Sequence, residues 1–265
     1  MRCFYFVLLF VAASSCTTLY QPLLATLPAV RKQGDVAVAG GWQFPYGAQV
    51  SAIASPLPHT LAFASAGIHA YNTKRDSSND YARNRQYEAG IGGYITVKRT
   101  WLSAAVGTGQ GRGFRYGRFG SSDILNFGVV VVPGGASGSP GRPLPVPELL
   151  GYYTTRFAQV TAWWPGGVQH PTREWGSSLR LTQVRFTDLT LNGVAQLLPA
   201  RHQLQASLIM QQPLLRTLKW QAAASFDVAP EQVADEKVIP MSGLRLRVGL
   251  VFCPGSTHPI TSTTP

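Results

Sequence analysis

The sequence predicts an all-β fold, with about ten antiparallel strands closed up-and-down into a transmembrane β-barrel. Three observations carry this expectation. Segments that alternate apolar with small or polar residues at period two recur from Asp35 to Phe252, and no helical periodicity of useful length follows the amino-terminal stretch. Connections between the segments fall into a short and a long class that alternate along the chain, apart from the short Phe44 to Tyr46 connection after strand one, as in barrels with short turns at one rim and long loops at the other. Aromatic residues collect at strand ends, where the interfaces of a bilayer hold them: Trp42, Tyr71, Tyr87, Trp101, Tyr152, Tyr153, Trp163, Trp164 and Phe252.

The first strand, Asp35 to Gln43, puts Val36, Val38, Gly40 and Trp42 on one face. A second spans Gly47 to Ser55, and Pro56-Leu57-Pro58-His59 turns it into a third, Thr60 to Tyr71, in which Leu61 and Phe63 alternate with Ala62, Ala64 and Ala66. These three read as a meander. The fourth, Gln86 to Val97, sets Tyr87, Ala89, Ile91, Ile95 and Val97 against Glu88, Gly90, Gly92, Tyr94 and Thr96. Lys98-Arg99 turns it into a fifth, Thr100 to Gln110. Residues 111–151, rich in glycine, proline and arginine, read as a long loop whose one apolar run is Phe127 to Val132.

A sixth strand covers Tyr152 to Trp164 and a seventh Glu174 to Thr187, with Leu179 and Leu181 opposite Ser178, Arg180 and Thr182. Its period slips near Gln183, which predicts a bulge there. The eighth, Gln203 to Gln212, alternates Leu204, Ala206, Leu208 and Met210 with Gln203, Gln205 and Ser207. The ninth sets Leu218, Trp220, Ala222, Ala224 and Phe226 against Lys219, Gln221, Ala223, Ser225 and Asp227, and the tenth runs from Met241 to Phe252. About 11 residues at roughly 3.3 Å each, tilted near 40°, span about 28 Å, the height of a bilayer's apolar band.

Alternation alone does not tell lipid from a protein core, so a lipid-anchored soluble β-sandwich is the alternative. Glu88, Arg180, Lys219, Arg245 and Arg247 lie on the second faces of their strands. Charges there would be costly in a dry core and suit a lumen of water and polar side chains. In a ten-strand barrel such a lumen should be filled by side chains, since about eight strands are just filled and porins use sixteen or more. No substantial conductance is expected.

Residues 1–15 have the shape of a signal peptide. Arg2 supplies the positive start, Phe4 to Val11 the apolar stretch, and Ala13, Ser14 and Ser15 the small residues, followed at once by Cys16. The apolar stretch is far short of the roughly 20 residues a membrane-spanning helix requires. The segment Ala13-Ser14-Ser15-Cys16 resembles a bacterial lipobox, with Ala13 where leucine is usual. The resemblance implies a diacylglycerol on the Cys16 sulfur and an acyl chain on its amino group. Thr17 follows, so the aspartate that retains lipoproteins at the inner membrane is absent, which points to the outer membrane. Residues 16–33 then form a lipidated tail, 34–253 the barrel, and 254–265 a disordered polar tail.

Charged residues are 13% of the chain and the formal net charge is +11, dispersed over strands and loops. For an exported chain this suits anionic lipid headgroups, lipopolysaccharide phosphates or acidic glycans better than nucleic acid. Arg112, Arg115 and Arg118, interleaved with Phe114, Tyr116 and Phe119, are candidate loop binders of such groups. Three cysteines, Cys3, Cys16 and Cys253, build no metal cluster, and no cofactor is expected beyond the lipid.

An enzyme acting on lipid A would need a serine and a histidine at the outer rim. His59 and His170 fall in predicted short turns, His258 in the tail and His202 near a strand start. His69 approaches the outer rim, on the face of Leu61 and Phe63 that is expected to meet lipid. No catalytic residue is assigned. The run Gly107-Thr108-Gly109-Gln110-Gly111-Arg112-Gly113 has no following Lys-Ser/Thr, so it reads as the flexible start of a loop rather than a phosphate cradle.

The tail Cys16-Thr17-Thr18-Leu19-Tyr20-Gln21-Pro22, then Arg31-Lys32-Gln33-Gly34 ahead of strand one, resembles the outer-membrane β-barrel lipoproteins of Bacteroidetes-type bacteria. Tyr87 to Tyr94, the glycine run, Ser178-Leu179-Arg180-Leu181 and Ser242 to Arg247 match that family in character. The chain departs from barrels generally in ending on a Pro/Ser/Thr tail instead of an aromatic residue. The resemblance implies an outer-membrane barrel and bears on fold and location more than on activity; in such a barrel the lipid is a second attachment near the periplasmic rim, and the role expected is structural or surface-binding.

Overall fold

Every strand pairs antiparallel with its neighbours in an order that returns on itself. The strands are β1 (Val36–Phe44), β2 (Gly47–Ala54), β3 (Thr60–Arg75), β4 (Ser78–Val97), β5 (Thr100–Tyr116), β6 (Glu148–Pro165), β7 (Glu174–Leu191), β8 (Val194–Ala195), β9 (Arg201–Pro213), β10 (Leu218–Val228) and β11 (Gly243–Phe252). In this computed structural model the described residues are 19–25, 30–44, 46–75, 78–116, 148–167, 172–228 and 243–254. β1 pairs with β11 and β6 with β7, so the sheet is a closed ten-strand barrel. β8 is a two-residue outgrowth folded back on β7 through Asn192-Gly193, whose φ angles of 53° and 77° are those of a tight hairpin turn. The fold is therefore the barrel and not the sandwich.

The side-chain alternation is turned outward. Val38, Trp42, Val50, Ile68, Tyr87, Ile91, Ile95, Val106, Val160, Leu179, Leu181, Leu208, Phe226, Val248 and Leu250 all stand exposed on the outer wall. Glu88, Arg180, Gln203, Gln205, Ser207, Gln221, Asp227 and Arg247 are buried on the inner one. Connections at the rim where β1 begins and β11 ends are residues 55–59, 98–99, 166–173 and 214–217. This is the turn rim; the opposite is the loop rim.

Several expectations need correction. β3 and β4 extend to Arg75 and Ser78, leaving two residues between them where a long loop was expected. Residues 72–80 contain no aliphatic or aromatic side chain, so they give no alternation to read. The predicted loop 111–151 is shorter at both ends, since β5 runs to Tyr116 and β6 starts at Glu148; its middle, with Arg118 and the Phe127 to Val132 run, lies outside the described residues. The register shift on β7 falls beside Thr187, which has no partner between Tyr152↔Asp188 and Tyr153↔Phe186, while the inward and outward alternation continues through Gln183.

Leu61 and Phe63, at 2% and 7% exposure, point inward, with Ala64, Ala66 and Ile68 facing out. His69 shares their inner face and is not directed to lipid. Trp101, Tyr153 and Trp163 likewise fill the interior instead of forming an outer girdle, whereas Trp42, Tyr87, Tyr152, Trp164 and Phe252 do stand outside. At the turn rim the interior is an apolar cluster that includes Val30, Ile53, Leu61, Phe63, Trp101, Phe157, Trp163 and Ile209.

Candidate functional site

The interior contains a segment that is not part of the wall. Leu19, Tyr20, Leu23, Leu24, Ala25 and Val30 are all at 3% exposure or less, inside the barrel. Each contact of this segment fixes its height. The Leu19 carbonyl accepts from Asn84 Nδ2 at 2.6 Å, thirteen positions along β4 from its Val97 end, so Leu19 is in the loop-rim half. Pro22 O accepts from Arg245; Leu24 exchanges two 3.0 Å hydrogen bonds with the Gln49 side-chain amide; Ala25 O accepts from Ser178 at 3.0 Å. Arg31 then reaches Glu174 at the turn rim, at 2.6 Å. The chain thus descends through the lumen before entering β1.

Its seat is cut by glycines. A Cβ on Gly113 would meet the backbone and side chain of Leu19, one on Gly151 the Leu19 side chain, and one on Gly67 the Leu23 side chain. The same device seats aromatic rings: Phe63 covers Gly90, Phe157 covers Gly107, Tyr153 covers Gly111 and Trp163 covers Gly176, each ring lying across from its glycine on the adjacent strand. The glycine run Gly107 to Gly113 is therefore a β5 segment with an emptied inner face, not a flexible loop. Tyr20 packs edge-on to Tyr153 at 5.1 Å, and the Tyr153 hydroxyl stands 3.0 Å from Asn84 Oδ1 and 2.8 Å from Gln86 Oε1, so its one proton serves either acceptor.

Of the predicted lumen charges, Glu88, Arg180, Arg245 and Arg247 are buried inside and Lys219 is half-buried, and Arg180 and Arg245 each meet a buried carboxylate. Arg180 donates to Glu88 at 2.6 Å, with its guanidinium carbon 3.7 Å from the Phe157 ring centroid. Arg245 bonds Asp227 and Pro22 O, and Arg247 is buried beside them on β11. Lys219 sits lower, at the turn rim, where it and Arg31 share Glu174 at 2.7 and 2.6 Å. β9 and β10 complete the polar wall with Gln203, Gln205, Ser207, Gln211, Gln221 and Ser225. Chemically, this interior sets Arg180 and Arg245 against buried carboxylates, keeps an excess of positive charge among the described residues, and ties down a strap.

Sequence reasoning missed the strap, and Asp227, which pairs with Arg245, as parts of the site. A signal was present: residues 17–30 hold no charge and six aliphatic or aromatic side chains from Leu19 to Leu27, unlike a solvated tail. The proposed loop patch does not form as such. Arg112 faces outward, 5.1 Å from the Tyr152 ring centroid, whereas Arg115 is buried on the inner face. Cys16 lies outside the described residues.

His59 Nδ1 is 3.2 Å from Tyr94 O in the β2 to β3 turn, and His202 bonds Gln183 at 3.2 Å. Among the described residues no group of three histidine, cysteine or acidic side chains is placed to hold a metal.

No family model matches the sequence, and no curated protein matches it. Several solved structures are similar in shape. The translocator domain of the autotransporter NalP from Neisseria meningitidis is 13% identical, over 82% of this chain and 87% of that one, with a TM-score of 0.43. The outer membrane protease OmpT from Escherichia coli is 8% identical, over 83% and 93%, with a TM-score of 0.46. An outer membrane channel from Pseudomonas putida F1 is 8% identical, over 88% and 100%, with a TM-score of 0.40.

Proposed function

We propose that the chain is an outer-membrane β-barrel lipoprotein of the kind its sequence resembles, closed by its own amino-terminal strap, and that its role is structural or surface-binding and neither catalytic nor conductive. The observation that carries this reading is the strap from Leu19 to Val30 filling a lumen whose outer wall is apolar. An apolar outer face around an inner wall of polar side chains suits hydrocarbon as solvent, where each backbone group must find a partner within the protein. Three of the five loop-rim connections, residues 117–147, 192–200 and 229–242, are longer than any at the turn rim, although 45–46 and 76–77 are tight, and this favours a periplasmic turn rim.

The path of the strap revises where a lipid on Cys16 belongs. Leu19 lies in the loop-rim half, and three residues reach about 10 Å at most. A lipid on Cys16 would on this path sit at the outer side of the barrel and not at the periplasmic rim. The basic charge favours anionic partners, lipopolysaccharide or acidic glycans among them.

Planar-bilayer recording of the purified protein, run beside heat-modifiable migration in detergent gels, tests the reading. Heat-modifiable migration with conductance far below a porin's is expected. Extraction from membranes without detergent would overturn the barrel reading, and porin-level flux would overturn the closed lumen.

A further inference from the structure

The outer wall of β4 to β7 changes character at one height. Going from the turn rim, β4 presents Val97, Ile95, Ile91 and Tyr87 outward, then Arg85 and Arg83. β5 presents Leu102 and Val106, then Thr108, Gln110 and Arg112; β6 presents Val160, then Arg156; β7 presents Leu179 and Leu181, then Gln183 and Arg185. These arginines stand nine to fourteen residues from the turn-rim ends of their strands, roughly 23–35 Å up at about 3.3 Å per residue and a tilt near 40°. That is the level of the outer headgroups.

Arg85 and Arg112 are direct cross-strand partners, and Arg112 is in turn paired with Tyr152, over whose ring it lies. Like charges directly opposite each other destabilise a sheet. None of Arg83, Arg85, Arg112, Arg156 and Arg185 makes an ion pair among the described residues, although one carboxylate, Asp188, is exposed beyond Tyr152. Below the Arg85 and Arg112 pair the wall is concave. A groove of about 840 Å³, shaped by the small side chains of Ala48 and Ala66, has Val50, Ile68 and Tyr87 along it and the two arginines at its head.

We propose that this wall binds a phosphorylated, acylated glycolipid of the outer leaflet, with Arg85 and Arg112 forking its phosphate and an acyl chain lying in the groove. The proposal rests on the outer-membrane reading. Guanidinium pairs hold phosphate oxygens bidentately and keep their charge at any working pH. An amphiphile alone places an anion at the height of the arginines and hydrocarbon directly beneath, so the two halves of the site call for one molecule. Free phosphate would engage the arginines and leave the groove unused.

The test titrates the detergent-purified full chain with diphosphorylated lipid A, with the same lipid after enzymatic removal of its phosphates, and with inorganic phosphate, read by native mass spectrometry. The double variant R85Q/R112Q should weaken lipid A binding at least ten-fold. K98Q/R99Q removes the same charge at the opposite rim and should leave binding within about two-fold. Dephosphorylated lipid should bind no better to wild type than to R85Q/R112Q. The site is overturned if R85Q/R112Q binds as wild type does, if K98Q/R99Q weakens binding equally, or if millimolar phosphate displaces the lipid. Heat-modifiable migration of every variant keeps these outcomes separate from a failure of the barrel reading, which wild type without such migration would signal, taking this site with it.

Discussion

Arg180 on β7 and Glu88 on β4 meet across the lumen at 2.6 Å, with side chains at 3% and 2% exposure. Neither charge has water to fall back on, and strands three places apart in the sheet are joined through it. Removing one partner of a buried pair leaves an uncompensated charge and costs about 3–5 kcal/mol, whereas replacing both with neutral groups of similar shape costs far less. Arg180→Met should therefore lower unfolding free energy by about that amount in detergent, and Glu88→Gln/Arg180→Met should recover most of it. Denaturant titrations followed by tryptophan fluorescence decide. A double variant as weak as the single would mean that the pair is not the source of the loss.

The strap makes a separate prediction about the lumen. Leu19 sits against Gly113 so closely that any β-carbon there must displace it. Gly113→Val should unseat the strap's loop-rim end, and deletion of residues 17–30 should remove it altogether. Planar-bilayer conductance is expected to rise in the order wild type, Gly113→Val, deletion, with heat-modifiable migration retained. Equal conductance in all three would show that the wall side chains alone close the barrel.

These contacts also show why some of the molecule was legible in sequence and some was not. β4, β7, β9, β10 and β11 alternate aliphatics with charges or amides, so both their identity and their facing could be read, and Glu88, Arg180, Arg245 and Arg247 lie inside. β3 was read with its faces exchanged, because Leu61 and Phe63 are larger and more apolar than Ala64 and Ala66. Size marks the lipid face only where the lumen is polar, and at the turn rim the lumen is an apolar cluster. Glycine misled in the same way. In the run from Gly107 to Gly113 it marks room for Phe157, Tyr153 and Leu19, which are distant in sequence, and a single strand cannot announce what its neighbour will lay across it. The strap escaped because its uncharged side chains are buried by the barrel as a whole and follow no local period.

Cys253, just past β11, offers a pH test away from the wall. Burial pushes its thiol above the usual range; Glu174 and Asp35 push the same way, and Lys219 opposes them. A raised thiol pKa keeps the protonated, unreactive form to higher pH. Alkylation of Cys253 by iodoacetamide, followed by peptide mass spectrometry, should be several-fold slower in the folded protein than in the unfolded one at pH 8, and should accelerate as pH rises further. Glu174→Gln should speed it and Lys219→Met slow it. The reverse order for these two variants would contradict the assignment of the charges.

The lipid on Cys16 and the barrel are two attachments whose contributions can be separated. A soluble domain would depend wholly on its acyl chains, since each buried CH₂ contributes about 0.8 kcal/mol and several chains make the only anchor. A barrel with an apolar wall depends on them little. Cys16→Ala should abolish incorporation of labelled palmitate, yet leave the folded chain in the outer-membrane fraction after carbonate washing. Because the strap is held by Asn84, Gln49, Ser178 and Arg245 at successive heights, it should also stay seated without lipid, so conductance should remain at the wild-type level. Release of the Cys16→Ala chain by carbonate would show that lipid carries the attachment, and a rise in conductance would show that lipid holds the strap.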